Sequence, residues 1–225
     1  MSKAVLISIN PKWCELIASG KKTIEVRKTR PKLKTPFKCY IYCTYSKNGN
    51  AYCKGNEILN GKVIGEFVCD FIANYEAELW DGETFERIQE FYEPDDFSEH
   101  GEYEYKTIAD CSDDFWEDNM LCKASRLTIE ELRKYLGGGF TQFYGWHISD
   151  LVIYDKPQEL NWFVVEGDCD CMNCKKCSWF NKGNGYNVED DCDLGYENIH
   201  RKKTLKPLFR PPQSWCYIED LEGAD

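Results

Sequence analysis

The sequence predicts an α+β fold: a small mixed β-barrel with flanking helices, interrupted by an acidic insertion and followed by a small Cys-rich C-terminal module. Three observations carry this. Short runs rich in β-branched and aromatic residues recur between turn signals, two helical patterns stop at glycines, and the composition changes abruptly near residue 166.

Residues 3–9 form an apolar, β-branched run closed by Asn10-Pro11. A helix follows, with Pro11 in the first turn, Trp13, Leu16 and Ile17 at helical spacing, and Gly20 as the stop. Residues 23–27 then alternate as a strand. Ile24 and Val26 share one face, and Thr23, Glu25 and Arg27 share the other, which is polar and charged.

Strands are expected over 37–44 and 63–72, joined by an exposed polar loop, 45–62, that contains Gly49, Gly55 and Gly61. Residues 73–126 read as an irregular acidic insertion with short helices around 85–92 and 114–121. Thr128 and Glu131 give a capping-box signature for a helix ending at Gly137. Runs at 143–148 and 151–154 are the closing strands, completing the barrel near residue 165. Residues 210–218 return as an edge strand. The division is therefore 1–165 for the barrel domain, insertion included, and 166–225 for the Cys-rich module.

At 225 residues with 42% hydrophobic and 15% aromatic content, the chain has enough apolar material for a packed core. It contains no apolar run of about 18 residues, and its first residues lack the long apolar stretch of a signal peptide, so a cytoplasmic protein without membrane contact is expected. Of its 13 cysteines, Cys14, Cys39, Cys43, Cys53, Cys69, Cys111 and Cys122 are scattered singly, which suits reduced filler residues and not a disulfide framework.

The net charge of -11 hides an uneven distribution. Residues 1–65 carry 13 Lys and Arg against three acids, whereas residues 66–131 carry 21 acids against four bases. A basic barrel half bearing an acidic insert is one reading, and mutual neutralisation of the two segments is the other. The insert is also a candidate surface for a protein partner.

Three segments together resemble the ASCH family, a relative of the RNA-binding PUA fold. They are Ile7-Ser8-Ile9-Asn10-Pro11, Ser19-Gly20-Lys21-Lys22-Thr23-Ile24-Glu25-Val26-Arg27-Lys28, and Tyr144-Gly145-Trp146-His147-Ile148-Ser149-Asp150. The Pro211-Pro212-Gln213-Ser214-Trp215 ending is similar to phage-type and bacterial members. The resemblance implies a PUA-like barrel that binds RNA or a modified nucleoside or nucleotide in a cleft beside the Gly-Lys-Lys-Thr segment.

In such a cleft Lys22 and Arg27 suit phosphate, Glu25 suits an exocyclic amine, and Tyr144 and Trp146 offer planar faces for stacking. Each residue also has a plain structural reading. Lys22 can be exposed decoration, Glu25 and Arg27 a surface ion pair, Trp146 barrel core, and His147 a satisfied or solvent-facing strand residue.

Some relatives are amidohydrolases on acetylated cytidine that use a Lys, a Thr and a downstream Glu. Lys22 matches the first, Glu25 stands where the Thr nucleophile would be, and residues 123–126 supply no matching acid. A ribonuclease using Lys22, Glu25 and Arg27 is the other enzymatic reading.

The second constellation is Cys169-x-Cys171-x-x-Cys174-x-x-Cys177, followed by Cys192. Tetrahedral zinc takes four thiolates, and Cys-x-x-Cys pairs form its knuckles. Five candidates compete for four places. Cys171, Cys174, Cys177 and Cys192 are the expected set for a structural zinc, with Cys169 as the alternative. An iron–sulfur cluster and a loop of reduced thiols are the competing readings.

Overall fold

The computed structural model describes residues 2–45, 51–54, 57–79, 85–92, 104–110, 120–137, 142–168 and 203–220. In chain order the elements are β1 (Ser2–Ile9), α1 (Pro11–Ala18), β2 (Ile24–Arg27), β3 (Phe37–Cys43), β4 (Cys53–Lys54), β5 (Glu57–Ile58), β6 (Lys62–Cys69) and β7 (Ile72–Leu79). There follow β8 (Phe85–Tyr92), β9 (Glu104–Asp110), α2 (Met120–Ser125), α3 (Ile129–Leu136), β10 (Gln142–His147), β11 (Ser149–Gln158), β12 (Val164–Asp168), β13 (Lys203–Pro207) and β14 (Trp215–Asp220).

The strands form a seven-stranded sheet ordered β11-β6-β3-β1-β14-β12-β13, a five-stranded sheet ordered β2-β10-β7-β8-β9, and the small hairpin β4-β5. The two large sheets meet at a corner where β6 gives way to β7 and β10 to β11. There His147 N–H donates to the Phe71 carbonyl at 3.0 Å. On the far side no ladder joins β2 to β1 or β14 among the described strands. The barrel expected from the sequence is therefore open along this seam.

Three cores hold the fold. The inner core lies between the sheets under α1 and gathers Val5, Ile7, Ile41, Phe67 and Trp146. A second packs α2 and α3, through Leu121, Leu132 and Leu136, on the five-stranded sheet. The third covers the outer face of the large sheet with Leu6, Tyr40, Phe163 and Ile218. β1 runs through the middle, parallel to β3 and antiparallel to β14, with both faces covered. This explains its unbroken apolar sequence.

The acidic insertion differs from expectation. Residues 72–79, 85–92 and 104–110 are strands of an antiparallel meander, and the helix expected over 85–92 is absent. Ile88 pairs with Ala77 and Phe91 with Asn74, so the two buried side chains point to opposite faces. Because both faces are covered there, buried residues fall three apart and imitate helical spacing. Residues 114–119 lie outside the described residues, and the helix present begins at Met120.

β14 is also corrected. It pairs with β1 over six positions and with β12 on its other side, making it an interior strand of the main sheet and not an edge. The continuous strand expected over 63–72 breaks between Cys69 and Ile72, where the chain turns the corner between sheets. The candidate zinc ligands Cys169, Cys171, Cys174, Cys177 and Cys192 lie outside the described residues. The strands flanking that segment, β12 and β13, pair from Val164↔Pro207 to Asp168↔Lys203. No described helix is long and apolar enough to cross a membrane.

Candidate functional site

At the open seam lies a cavity of about 560 Å³. One wall is β2 with the turn before it, which supplies Lys22, Glu25 and Arg27. α1 and the end of β1 supply Ser8, Asn10 and Trp13; α3 supplies Glu131, Lys134 and Tyr135; and Gln213 precedes β14.

Local sequence explains how these groups converge. Asn10 caps α1, its side chain accepting from Lys12 N–H at 3.2 Å, and Pro11 occupies the first turn. Gly20, at φ +70, ends the helix in a conformation that disfavours a side chain. The chain then doubles back, Lys22 N–H donating to the Leu16 carbonyl, so the Lys22 side chain returns beneath α1. The period of two on β2 puts Glu25 and Arg27 on the face opposite Val26.

The three charges form one buried network. Glu25 Oε1 lies 2.9 Å from Arg27 Nη2, and its Oε2 lies 3.3 Å from Lys22 Nζ. Lys22 also donates to the Ser125 carbonyl at 2.6 Å. Arg27 donates to the Ser8 carbonyl at 2.7 Å and to Ser214 Oγ at 3.3 Å. It thereby stitches β2 to β1 and to the lead-in of β14, where no ladder runs. Lys22 is only 2% exposed, and Glu25 and Arg27 are each 6% exposed. Exposed decoration and a surface ion pair are thus both excluded.

Burial pushes the Lys22 ammonium toward its neutral form, and the Glu25 carboxylate opposes that without cancelling it. Arg27 Nε has no hydrogen-bond partner among the described residues although it is buried. An unpaired buried donor of this kind costs about 1–3 kcal/mol.

Glu131 does two jobs. Its Oε2 accepts from Thr128 N–H at 3.2 Å, closing the capping box of α3, while its Oε1 accepts from Lys12 Nζ. Burial alone would raise its pKa. The hydrogen bonds from Lys12 and Thr128 and the charges of Lys12 and Lys22 outweigh that and hold the carboxyl below its ordinary value. The sequence marks Glu131 as a helix cap only, and nothing local announces that it also lines the cavity.

The aromatic expectations are corrected. Trp146 is fully buried in the inner core, its ring centroid 6.0 Å from Phe37 and 5.9 Å from Trp215, and it does not line the cavity. The position of β10, one strand in from the β2 edge, is the reason: Trp146 pairs with Glu25 and shares its face, but its indole packs in the inner core. Tyr144 pairs with Arg27 and lies half-buried beneath the Arg30 guanidinium, 5.7 Å from its ring centroid, also outside the cavity lining.

The rings that do face the cavity are Trp13 and Tyr135. Lys12 and Lys22 hold ammonium groups 4.3 and 5.1 Å from the Trp13 centroid, and Lys28 holds one 5.5 Å from the centroid of Tyr135, which is 37% exposed. His147 sits elsewhere, half-exposed at the sheet corner, with Nδ1 2.7 Å from Asp70 Oδ1. Among the described residues no group of three or more His, Cys, Asp and Glu side chains is placed to hold a metal.

The class defined by these features is an open two-sheet β-barrel with a charged cavity at its seam. No protein-family model and no curated protein matches the chain. Among solved structures it is similar to ASCH from Zymomonas mobilis, at 17% identity and a TM-score of 0.42, over 70% of this chain and 73% of that one. Two point-variant structures of the same protein match equally, at 17% identity and a TM-score of 0.42, over 71% and 70% of this chain and 77% and 74% of theirs. They carry the name of the family that the three sequence segments resemble.

Proposed function

We propose that the seam cavity binds a single nucleoside or nucleotide, free or as an unpaired residue of RNA. The observation that carries this reading is the row Lys22-Glu25-Arg27, buried yet lining an open cavity. The hollow beside these three buried charges falls within the range of about 300–1,000 Å³ typical of ligand sites, large enough for a nucleoside. Lys22, Arg27 and Lys134 outnumber Glu25 and Glu131, which favours an anionic ligand. Tyr135 supplies a stacking face, and Glu25 supplies an acceptor for a base edge.

The test is titration of the protein with short single-stranded RNA and with nucleoside monophosphates at two salt concentrations. Changing Lys22 and Arg27 together to Ala, and separately Tyr135→Ala and Lys134→Ala at the more exposed wall, should each weaken binding about tenfold or more, with circular dichroism as the folding control. Unchanged affinity in folded variants would remove the cavity from consideration.

A hydrolase at the same cavity is the second reading. It is favoured by Lys22, whose burial makes a neutral amine more accessible than in an exposed lysine. Product formation from labelled RNA or acetylated cytidine is its readout. We further propose that Cys171, Cys174, Cys177 and Cys192, with Cys169 as the alternative, hold a structural zinc, and that the acidic insert serves a protein partner.

A further inference from the structure

A second hollow, of about 250 Å³, opens over the outer core of the seven-stranded sheet and shares no lining residue with the seam cavity. Its walls are aromatic and acidic: Tyr40, Tyr154, Trp162 and Phe163 with Glu66 and Glu219. Tyr40 and Phe163, both buried, meet edge to face with centroids 5.0 Å apart. Tyr154 donates its hydroxyl proton to Glu66 Oε2 at 2.5 Å, and Tyr40 donates to Asp220 Oδ1 at 2.9 Å. Both phenols are thus tied to carboxylates. Trp162, on the short turn Leu160–Trp162, is 70% exposed, an unusual position for so large an apolar ring.

The chain already places one ammonium at this wall. Lys38 Nζ lies 3.5 Å from Glu66 Oε1, 4.0 Å from Asp220 Oδ2 and 5.6 Å from the Tyr40 centroid. The lining of the hollow carries two carboxylates, Glu66 and Glu219, and no basic side chain. An anion is therefore repelled. A bare ammonium, strongly hydrated, needs several acceptors in exchange for its water, and both oxygens of Glu66 are already engaged. An alkylated ammonium needs few, because its positive charge is spread over methyl groups that pack on ring faces.

We propose that this hollow binds a trimethylammonium-type cation, either as a free small quaternary amine or as a methylated lysine side chain of a protein. The rings surround the cation, and the carboxylates supply the field that makes a charged guest better than a neutral one of equal shape.

The experiment is calorimetric titration of the full chain with choline, with its uncharged carbon isostere 3,3-dimethylbutan-1-ol, and with a short peptide carrying one trimethyllysine or its unmethylated lysine. Choline and the trimethyllysine peptide should bind saturably, and the isostere about tenfold more weakly or less. Trp162→Ala should weaken the cation about tenfold, and Trp162→Phe should restore part of the loss. A trimethyllysine peptide much tighter than choline assigns a protein source, and equal affinity assigns a free amine. Absence of saturable binding by either cation, equal binding of the isostere, or an unchanged affinity in a folded Trp162→Ala variant overturns the proposal. The comparison of choline with its isostere needs no variant, so it decides even if a substitution at Trp162 impairs folding.

Discussion

Arg27 Nη2 lies 2.9 Å from Glu25 Oε1 in a setting where both side chains are more than nine-tenths buried, and the other oxygen of Glu25 faces Lys22. One anion therefore holds two buried cations. Glu25→Gln keeps the shape but removes the counter-charge, leaving Lys22 and Arg27 to repel each other where both are more than nine-tenths buried. The expected loss is about 3–5 kcal/mol in urea denaturation, the size seen when one partner of a buried ion pair is removed. A loss below about 1 kcal/mol would mean that solvent screens the network.

The lowered pKa of Lys22 makes a signed prediction. Its ammonium is less stable in the folded chain than in the unfolded one, so below the folded pKa it disfavours folding by a constant amount. As pH rises from the lowered folded value toward the ordinary value of 10.5, the unfolded chain holds the extra proton and stability from this group increases. Cys14 and Cys39 act oppositely, since burial keeps their thiols protonated above the usual value and unfolding is favoured as pH rises. The difference between the parent and Lys22→Met isolates the lysine: the parent should gain on the variant through the alkaline range, measured by denaturation at a series of pH values. A constant difference would contradict the burial-driven shift.

The Cys-rich segment leaves and returns through the β12-β13 ladder. A zinc held by Cys171, Cys174, Cys177 and Cys192 should appear as about one metal ion per chain in elemental analysis. Single Ser substitutions at these four positions should lower the content, and Cys169→Ser should leave it unchanged. Equal loss at Cys169 would reassign the ligand set.

The charged row was legible in the sequence because a strand's period of two places Glu25 and Arg27 together, and Lys22 sits just before it. The helix α3 was equally plain from Thr128 and Glu131, a purely local signal. What the sequence did not disclose was non-local. Trp146 looks like a binding aromatic beside Tyr144 and His147, but its role follows from the place of β10 inside the β2 edge, which sets its indole in the inner core. Trp13 and Tyr135 look like ordinary helical residues, and only the packing of α1 and α3 around the seam brings them to one cavity. The pairing of β7 with β8 was hidden because burial on both faces erased the alternation that marks a strand.

β14 supplies the last prediction. Ile218, 1% exposed, packs in the outer core, and Trp215 Nε1 donates to Thr29 Oγ1 at 3.0 Å beside the inner one. The strand separates β1 from β12 and so carries the β12-β13 pair with it. Ile218→Ala should cost about 2–5 kcal/mol, as for other fully buried aliphatic truncations. Glu219→Ala, at a partly exposed neighbouring position, should change stability by about 0.5 kcal/mol or less. Deleting residues 208–225 strips the partner from one edge of β1, whose apolar residues and free backbone groups then face water or a second chain. The shortened chain should aggregate or lose its cooperative unfolding transition. A soluble product that melts cooperatively would show that β1 and β3 suffice to hold the sheet, and that β14 is the dispensable edge its sequence suggests.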